Sequence, residues 1–395
     1  MTDLLVRGIG RLLPMTAPPV PSAAVVIRGG SVAWVGPEAD LPAGLGDGPE
    51  LAELAELDAG GACVVPGFVD PHTHAVWAGS RRADFEQRLA GVPYGDILGR
   101  GGGIHSTVRA TRAASYDDLL ALTTERLAAM RATGTTTVEM KSGYGLTPDD
   151  ELRLLDVAVA AGAGEVTYLG AHAVPPDRDR DAYVAEVVAT LPAARERGAA
   201  WCDVFCDEGA FTVDEARRVL TAARAAGLGL RLHADQLARI GATELAAETG
   251  CASADHLDHL APEGARALAA AGVVAVLLPA CALTMRHGRW DAARHLRDAG
   301  ATIALGTDCN PGTSWCESMP YVIQLGCLAY GLSVEEAFRA ATLGAAAALR
   351  RTDIGHLAVG ARGDLAVLNA DHEADLVAHL SAVPVRHTVV GGTVC

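Results

Sequence analysis

Eight short β-rich runs, separated by longer stretches rich in Ala, Leu, Arg and Glu, fill the middle of this 395-residue chain and leave it few folds to choose from. The runs are Val65 to Asp70, Thr135 to Lys141, Val166 to Gly170, Cys202 to Cys206, Leu228 to Leu232, Cys251 to Asp255, Val273 to Leu278 and Thr302 to Gly306. Strands that alternate with helix-length segments predict parallel βαβ units, and eight such units close a barrel. The segments between them carry helix start and stop signals. Ser115-Tyr116-Asp117-Asp118 opens one helix with acidic residues in its first turn, Gly134 ends it, and Thr147-Pro148-Asp149-Asp150-Glu151 repeats the opening. The expected fold class is therefore α/β, a TIM-like (β/α)8 barrel over residues 64–356.

The flanks have a different texture. Strand-like pieces at Ala24 to Arg28 and Val32 to Val35 are broken by Gly and Pro, and Leu365 to Leu368 and Thr388 to Val394 repeat the pattern at the other end. Neither flank holds enough apolar residues for a core of its own, so residues 1–63 and 357–395 are expected to combine in one small, discontinuous β-sandwich domain. Residues 39 to 56, rich in Ala, Gly, Glu and Pro, read as a loop over its edge.

Charge and cysteine usage narrow the function classes. A formal net charge of -16 argues against nucleic acid or an anionic membrane surface as partner, since both demand a basic face. No apolar run is long enough to span a bilayer, and the first residues lack the core of a signal peptide, which points to the cytoplasm. The nine cysteines are scattered without a Cys-x-x-Cys pair, as expected of free thiols in a reducing compartment. Lys141 is the only lysine among 32 basic residues, which singles it out for a specific task.

Chemistry collects where the runs end. In a barrel of this type the working face is the C-terminal end of the strands. The first run leads into Pro71-His72-Thr73-His74, with the two imidazoles one residue apart and, by strand alternation, on one face. The second ends in Glu139, Lys141 and Tyr144, the third in His172, the fifth in His233 with Asp235 and Gln236, the sixth in His256 and the eighth in Asp308. His72, His74, His233 and Asp308 form an economical ligand set for one metal ion with an open position, and three nitrogens with one carboxylate suit zinc or iron. Such an ion lowers the pKa of water toward about 7 and makes it a nucleophile. Asp308 can take the water's proton and His256 can orient or relay it. Asp308 in Gly306-Thr307-Asp308-Cys309-Asn310-Pro311-Gly312 also fits a helix N-cap.

These segments together resemble the amidohydrolase superfamily: Pro66-Gly67-Phe68-Val69-Asp70-Pro71-His72-Thr73-His74, His233-Ala234-Asp235, Ser253-Ala254-Asp255-His256 and Gly306 to Gly312. Trp77 to Glu86, Gly101-Gly102-Gly103-Ile104-His105 and Glu139 to Leu146 are similar to the branch of that superfamily that opens an imidazolone ring in histidine degradation. The resemblance runs the length of the chain. It implies hydrolysis of the ring amide of 4-imidazolone-5-propanoate to N-formimidoyl-L-glutamate, with one divalent or trivalent metal ion per subunit and a homodimeric assembly. By the same resemblance Arg81, Tyr94 and Tyr144 meet the propionate carboxylate. His172 and Gln236 face the ring, with His172 also polarising the carbonyl, and Asn310, Gly312 and Thr313 hold the tail or product.

Bland alternatives stand beside these roles. Arg81 can pair with Asp84 or Glu86, the tyrosines can pack, and Asn310-Pro311-Gly312 can be an ordinary turn. Where some relatives carry Glu, this chain has Gln236, which cannot act as a base. Lys141 sits on the second run, whereas the bridging carbamylated lysine of two-metal amidohydrolases sits on the fourth, so a one-metal site is expected. A cyclic-amidine deaminase would use the same ligands without needing Arg81, and a non-catalytic scaffold would be expected to have lost some of them.

Overall fold

The computed structural model describes residues 3–42, 54–92, 102–286, 288–380 and 383–395. Its central sheet runs in chain order through β6 (Phe68–Asp70), β7 (Thr135–Lys141), β8 (Glu165–Ala171), β9 (Trp201–Cys206), β10 (Gly229–Ala234), β11 (Ser253–His256), β12 (Val274–Leu277) and β13 (Ile303–Leu305). The pairings from β7 to β13 are parallel. Just past the strand ends, Asp308 N donates to His72 O at 3.0 Å and His74 N to Cys309 O at 3.0 Å. These two bonds close the barrel, and they do so with the residues that carry the chemistry. Every residue of β7 and of β11 is buried, as expected where helices cover one face of a parallel strand and side chains fill the barrel on the other.

A second sheet combines strands from both ends of the chain. Its order is β16 (Thr393–Val394), β15 (Val385–Val390), β14 (Leu365–Leu368), β5 (Cys63–Pro66), β1 (Leu4–Leu12), β2 (Val20–Arg28) and β3 (Ser31–Pro37), with β4 (Ala55–Asp58) paired to β1. Leu4, Val6, Ile9, Val25, Ile27, Val64, Leu365, Val367 and Val389 share one buried cluster on it. By compactness the chain separates into one unit of residues 1–70, 128–137 and 318–395 and another of residues 71–127 and 138–317, so the first takes in more than the terminal segments.

Three local outcomes differ from the sequence reading. The run Val65 to Asp70 is two strands rather than one. Val65 and Pro66 belong to β5 of the terminal sheet, and the barrel begins only at Phe68. The break falls at Gly67, where a Cβ would lie 2.3 Å from the Thr136 side chain, so no larger residue fits the turn between sheets. Next, β1 is a nine-residue strand although Gly8, Gly10 and two arginines interrupt its apolar pattern. A register shift between Val6 and Ile9 absorbs Gly8 at φ +61, and the glycine permits the bulge. Finally, β4 occupies the end of the segment read as a loop, of which residues 43–53 lie outside the described residues.

Helix signals locate well. One helix spans Tyr116–Ala132, and Thr147 caps the helix Pro148–Ala161 by accepting from Asp150 N. Among the described residues no helix is long and apolar enough to cross a membrane.

Candidate metal centre

Three imidazoles and one carboxylate meet at the C-terminal mouth of the barrel. His74 Nε2 lies 3.3 Å from His233 Nε2, and Asp308 Oδ1 lies 3.5 Å from His74 Nε2 and 3.6 Å from His72 Nε2. Bonds of about 2.0–2.1 Å at tetrahedral angles separate donor atoms by about 3.3–3.4 Å, and these three contacts are near that spacing. The donor atoms of His72, His74 and Asp308 all lie within 4.8 Å of one another, and those of His72, His233 and His256 form a second such group. All four residues are buried. Asp308 has φ +51, which Asp tolerates better than most residues and which turns its carboxylate inward as the chain leaves β13.

The protonation states suit that use. Burial, reinforced by Lys141 and neighbouring rings, keeps His72 well below the ordinary histidine range, and burial with the His172 and His233 rings does the same for His74. Neutral imidazole is the form that ligates. Burial pushes the Asp308 carboxyl up to about 7 and His172 down to about 3.

Behind the rings stands a second layer that the sequence reading did not assign. His72 Nδ1 lies 2.6 Å from Asp255 Oδ2, and His233 Nδ1 lies 3.0 Å from Asp203 Oδ2. Lys141 Nζ is 2.9 Å from Asp203 Oδ2, 2.9 Å from Glu139 Oε1 and 4.0 Å from Asp255 Oδ2. Burial opposes ionisation of Asp203, but His233 and Lys141 win and hold it below the usual carboxylate range. Asp255, further from the ammonium, is pushed up by burial. Burial lowers Lys141, yet Asp203, Glu139 and Asp255 together leave it above the ordinary lysine value. An ammonium engaged this way has no lone pair to carry a bridging carbamate.

The remaining predicted residues fall in several classes. His256 joins the cluster, its ring centroid 5.5 Å from that of His72 and 5.2 Å from that of His233. The His172 ring stacks on His74 at 5.0 Å and 22°, and Tyr144 packs 5.3 Å from His172. Arg81 is buried rather than superficial, and its Nε donates to Asp84 Oδ2, which also accepts from Gly103 N at 2.9 Å. A Cβ on Gly312 would fall 2.8 Å from Arg81 Nη1, so a bare glycine lets the 310–313 loop approach the guanidinium. The Asn310 side chain is committed to that loop, accepting from Gly312 N at 2.8 Å and Thr313 N at 2.7 Å and donating to Asp308 O at 2.7 Å. Gln236 Nε2 donates to Cys281 Sγ at 3.4 Å. Tyr94 lies outside the described residues.

Two carboxylates at the strand ends organise loops instead of facing the cluster. Asp235 accepts from Ile240, Ala242 and Thr243 N, and Asp207 from Gln236, Leu237 and Ala238 N. Glu151, read from sequence as an ordinary first-turn acid, is buried and accepts from Gly143 N at 2.7 Å, Gly145 N at 2.7 Å and Leu146 N at 2.8 Å. It thereby shapes the loop that carries Tyr144 and that places Gly143 O 2.9 Å from His172 Nδ1. Glu151→Gln puts an amide donor against backbone donors and is expected to destabilise the fold by about 1–3 kcal/mol. Thermal melting with the metal present measures this; an unchanged midpoint would mean that the three bonds contribute nothing net.

The model of the amidohydrolase family matches residues 63–395. The imidazolonepropionase of Streptomyces avermitilis is 48% identical over 367 residues, covering 92% of this chain and 84% of its own length. That of Saccharopolyspora erythraea is 46% identical and covers 98% and 97%. Among solved structures, a zinc-bound adenosine deaminase from Xanthomonas campestris superposes with a TM-score of 0.74 over all of this chain and 92% of its own, at 21% identity. At that identity the likeness speaks for the fold.

Proposed function

The chain belongs to the amidohydrolase family, and from that premise we propose that it carries out the reaction for which its imidazolonepropionase relatives are named: metal-dependent hydrolysis of 4-imidazolone-5-propanoate to N-formimidoyl-L-glutamate. The observation that carries the reading is the convergence of His72, His74 and Asp308, with His233 Nε2 3.3 Å from His74 Nε2, and a buried arginine against the 310–313 loop. One zinc or iron ion per subunit fits this donor set; when bound, it supplies the Lewis acidity that makes water nucleophilic near neutral pH.

The chain's own residues account for the rest. Water adds to the ring carbonyl carbon, the ring C–N bond breaks, the carbon becomes a carboxylate and the nitrogen leaves protonated. Asp308, buried among the rings at the mouth of the barrel, is placed to take the water's proton and return it to the leaving nitrogen. His256, inside the cluster, orients or relays that proton. His172, neutral because burial holds it down, presents a polar edge to the ring without adding positive charge. Arg81, oriented by Asp84, is the cation that meets the propionate carboxylate, and Tyr144, packed on His172, is a second donor for it. Gln236 serves as a hydrogen-bonding group only, which leaves base chemistry to Asp308 and His256.

Arg81 distinguishes this substrate from those of deaminase relatives. Arg81→Met is expected to cost roughly 2–3 kcal/mol of affinity for the imidazolone propionate. Arg81→Lys should recover part of it, as a point charge without the fork. A ring analogue lacking the carboxylate should bind both forms alike, as inhibition constants would report. Equal losses for both compounds would make Arg81 a structural residue and remove the basis for the tail assignment.

A further inference from the structure

The only lysine of the chain lies at the end of β7, fully buried, beneath the ligand rings. Its position is unusual in what it reaches. Nζ donates to Glu139 Oε1 at 2.9 Å, forms an ion pair at 2.9 Å with Asp203, which lies against His233, and approaches at 4.0 Å Asp255, which lies against His72. Glu139 Oε2 in turn accepts from Thr73 N at 3.2 Å, and the backbone N–H of Lys141 donates to Thr73 O at 3.0 Å. Thr73 is the residue between His72 and His74. One cation therefore connects to the supports of all three rings.

Chemistry says what such a link accomplishes. A ring that ligates through Nε2 must carry its proton on Nδ1, and that proton needs an acceptor. Asp203 and Asp255 present carboxyl oxygens to these positions, 3.0 Å from His233 Nδ1 and 2.6 Å from His72 Nδ1. With Glu139 they place three acidic groups in a fully buried space, where a cation among them is needed to hold them side by side. Arg231, the other buried cation nearby, does not replace the lysine. Its Nη1 donates to Ser253 Oγ at 3.4 Å and its guanidinium stacks over Trp201 at 4.4 Å. An ammonium suits the post better, being a compact charge with three donors for several carboxylates.

We propose that Lys141 is a positioning residue of the metal centre: its ammonium holds the side chain of Asp203 in place behind His233 and stands beside that of Asp255 behind His72, so that both rings keep Nε2 turned inward, and through Glu139 it anchors the backbone between His72 and His74. The inference rests on the metal reading above. It concerns binding of the ion rather than the reacting atoms.

The test compares unmodified protein, Lys141→Met and the charge-balanced pair Lys141→Met with Glu139→Gln, each loaded with zinc and then exposed to a chelator. Retained metal and the melting temperature of the stripped protein are both measured. Either variant that folds is expected to bind zinc 10–100-fold more weakly, the usual effect of losing an outer-layer partner. A lower melting temperature with zinc affinity within threefold of the parent would show a merely structural lysine and overturn the proposal. Should neither variant fold, the zinc-loaded parent still decides: imidazole nitrogen NMR is expected to show Nδ1–H at His72 and His233, and ligation through Nδ1 of either ring overturns it. Failure of the parent itself to hold zinc or iron would overturn the metal reading together with this inference, whereas equal retention by parent and variants would overturn the inference alone.

Discussion

His72→Ala combined with His74→Ala is expected to leave a folded barrel with no stoichiometric metal and no measurable hydrolysis. The two rings supply half of the donor set, and an ion held by the remaining His233 and Asp308 alone is bound weakly. Folding should survive because the barrel closes through backbone bonds of these residues, Asp308 N to His72 O and His74 N to Cys309 O, which alanine retains. Asp255, left without its ring partner, remains near Lys141. Metal analysis after gel filtration, with circular dichroism as the folding control, reads the outcome. Full occupancy in the double variant would move the ion elsewhere. The first place to look would then be His256, Cys281 and Asp308, whose donor atoms lie within 4.8 Å of one another.

Asp308→Asn is expected to lower kcat by 10²-fold or more, up to about 10⁴-fold, with the ion retained. Asparagine keeps the size of the side chain and an oxygen that can ligate, and it accepts the positive φ of this position about as well as aspartate. What disappears is the proton acceptor. Because shape and backbone are preserved, a loss of rate at unchanged metal content reports on proton transfer rather than on site collapse. Near-normal turnover with full metal content would transfer the base role, and His256→Asn would be the next variant to make.

The two predictions draw on residues of a kind that a sequence exposes readily. His72, His74, His172, His233, His256 and Asp308 all stand at or just beyond the ends of β-rich runs. In a barrel all such ends share one face, so their meeting follows from topology without any knowledge of distances. The order of units, the helix starts at Tyr116 and Pro148 and the stop at Gly134 were legible for the same reason: each depends on residues close together in the chain.

The supports of the site were not legible in this way. Asp203 and Asp255 stand inside strands, and nothing near them in sequence announces that the imidazoles they back are His233 and His72, 30 and 183 positions away. Glu151 carries the signature of a solvated helix start, and only the folding of the 143–146 loop onto it turns it into a buried acceptor. Arg81 fitted both a pairing with Asp84 and a role at the substrate; it pairs with Asp84 and is buried against Gly312 at once, which no local pattern could express.

The split at Gly67 has a similar origin, since it is the Thr136 side chain that forbids a Cβ there. By itself, then, the sequence determined the eight-unit barrel and which residues reach its mouth, because hydrophobic period and chain order are local quantities. Tertiary structure alone decided which buried charges stand behind them, above all that the single lysine sits among Asp203, Glu139 and Asp255. A buried charge is stable only through partners brought from distant strands, and that balance exists only once the barrel has closed.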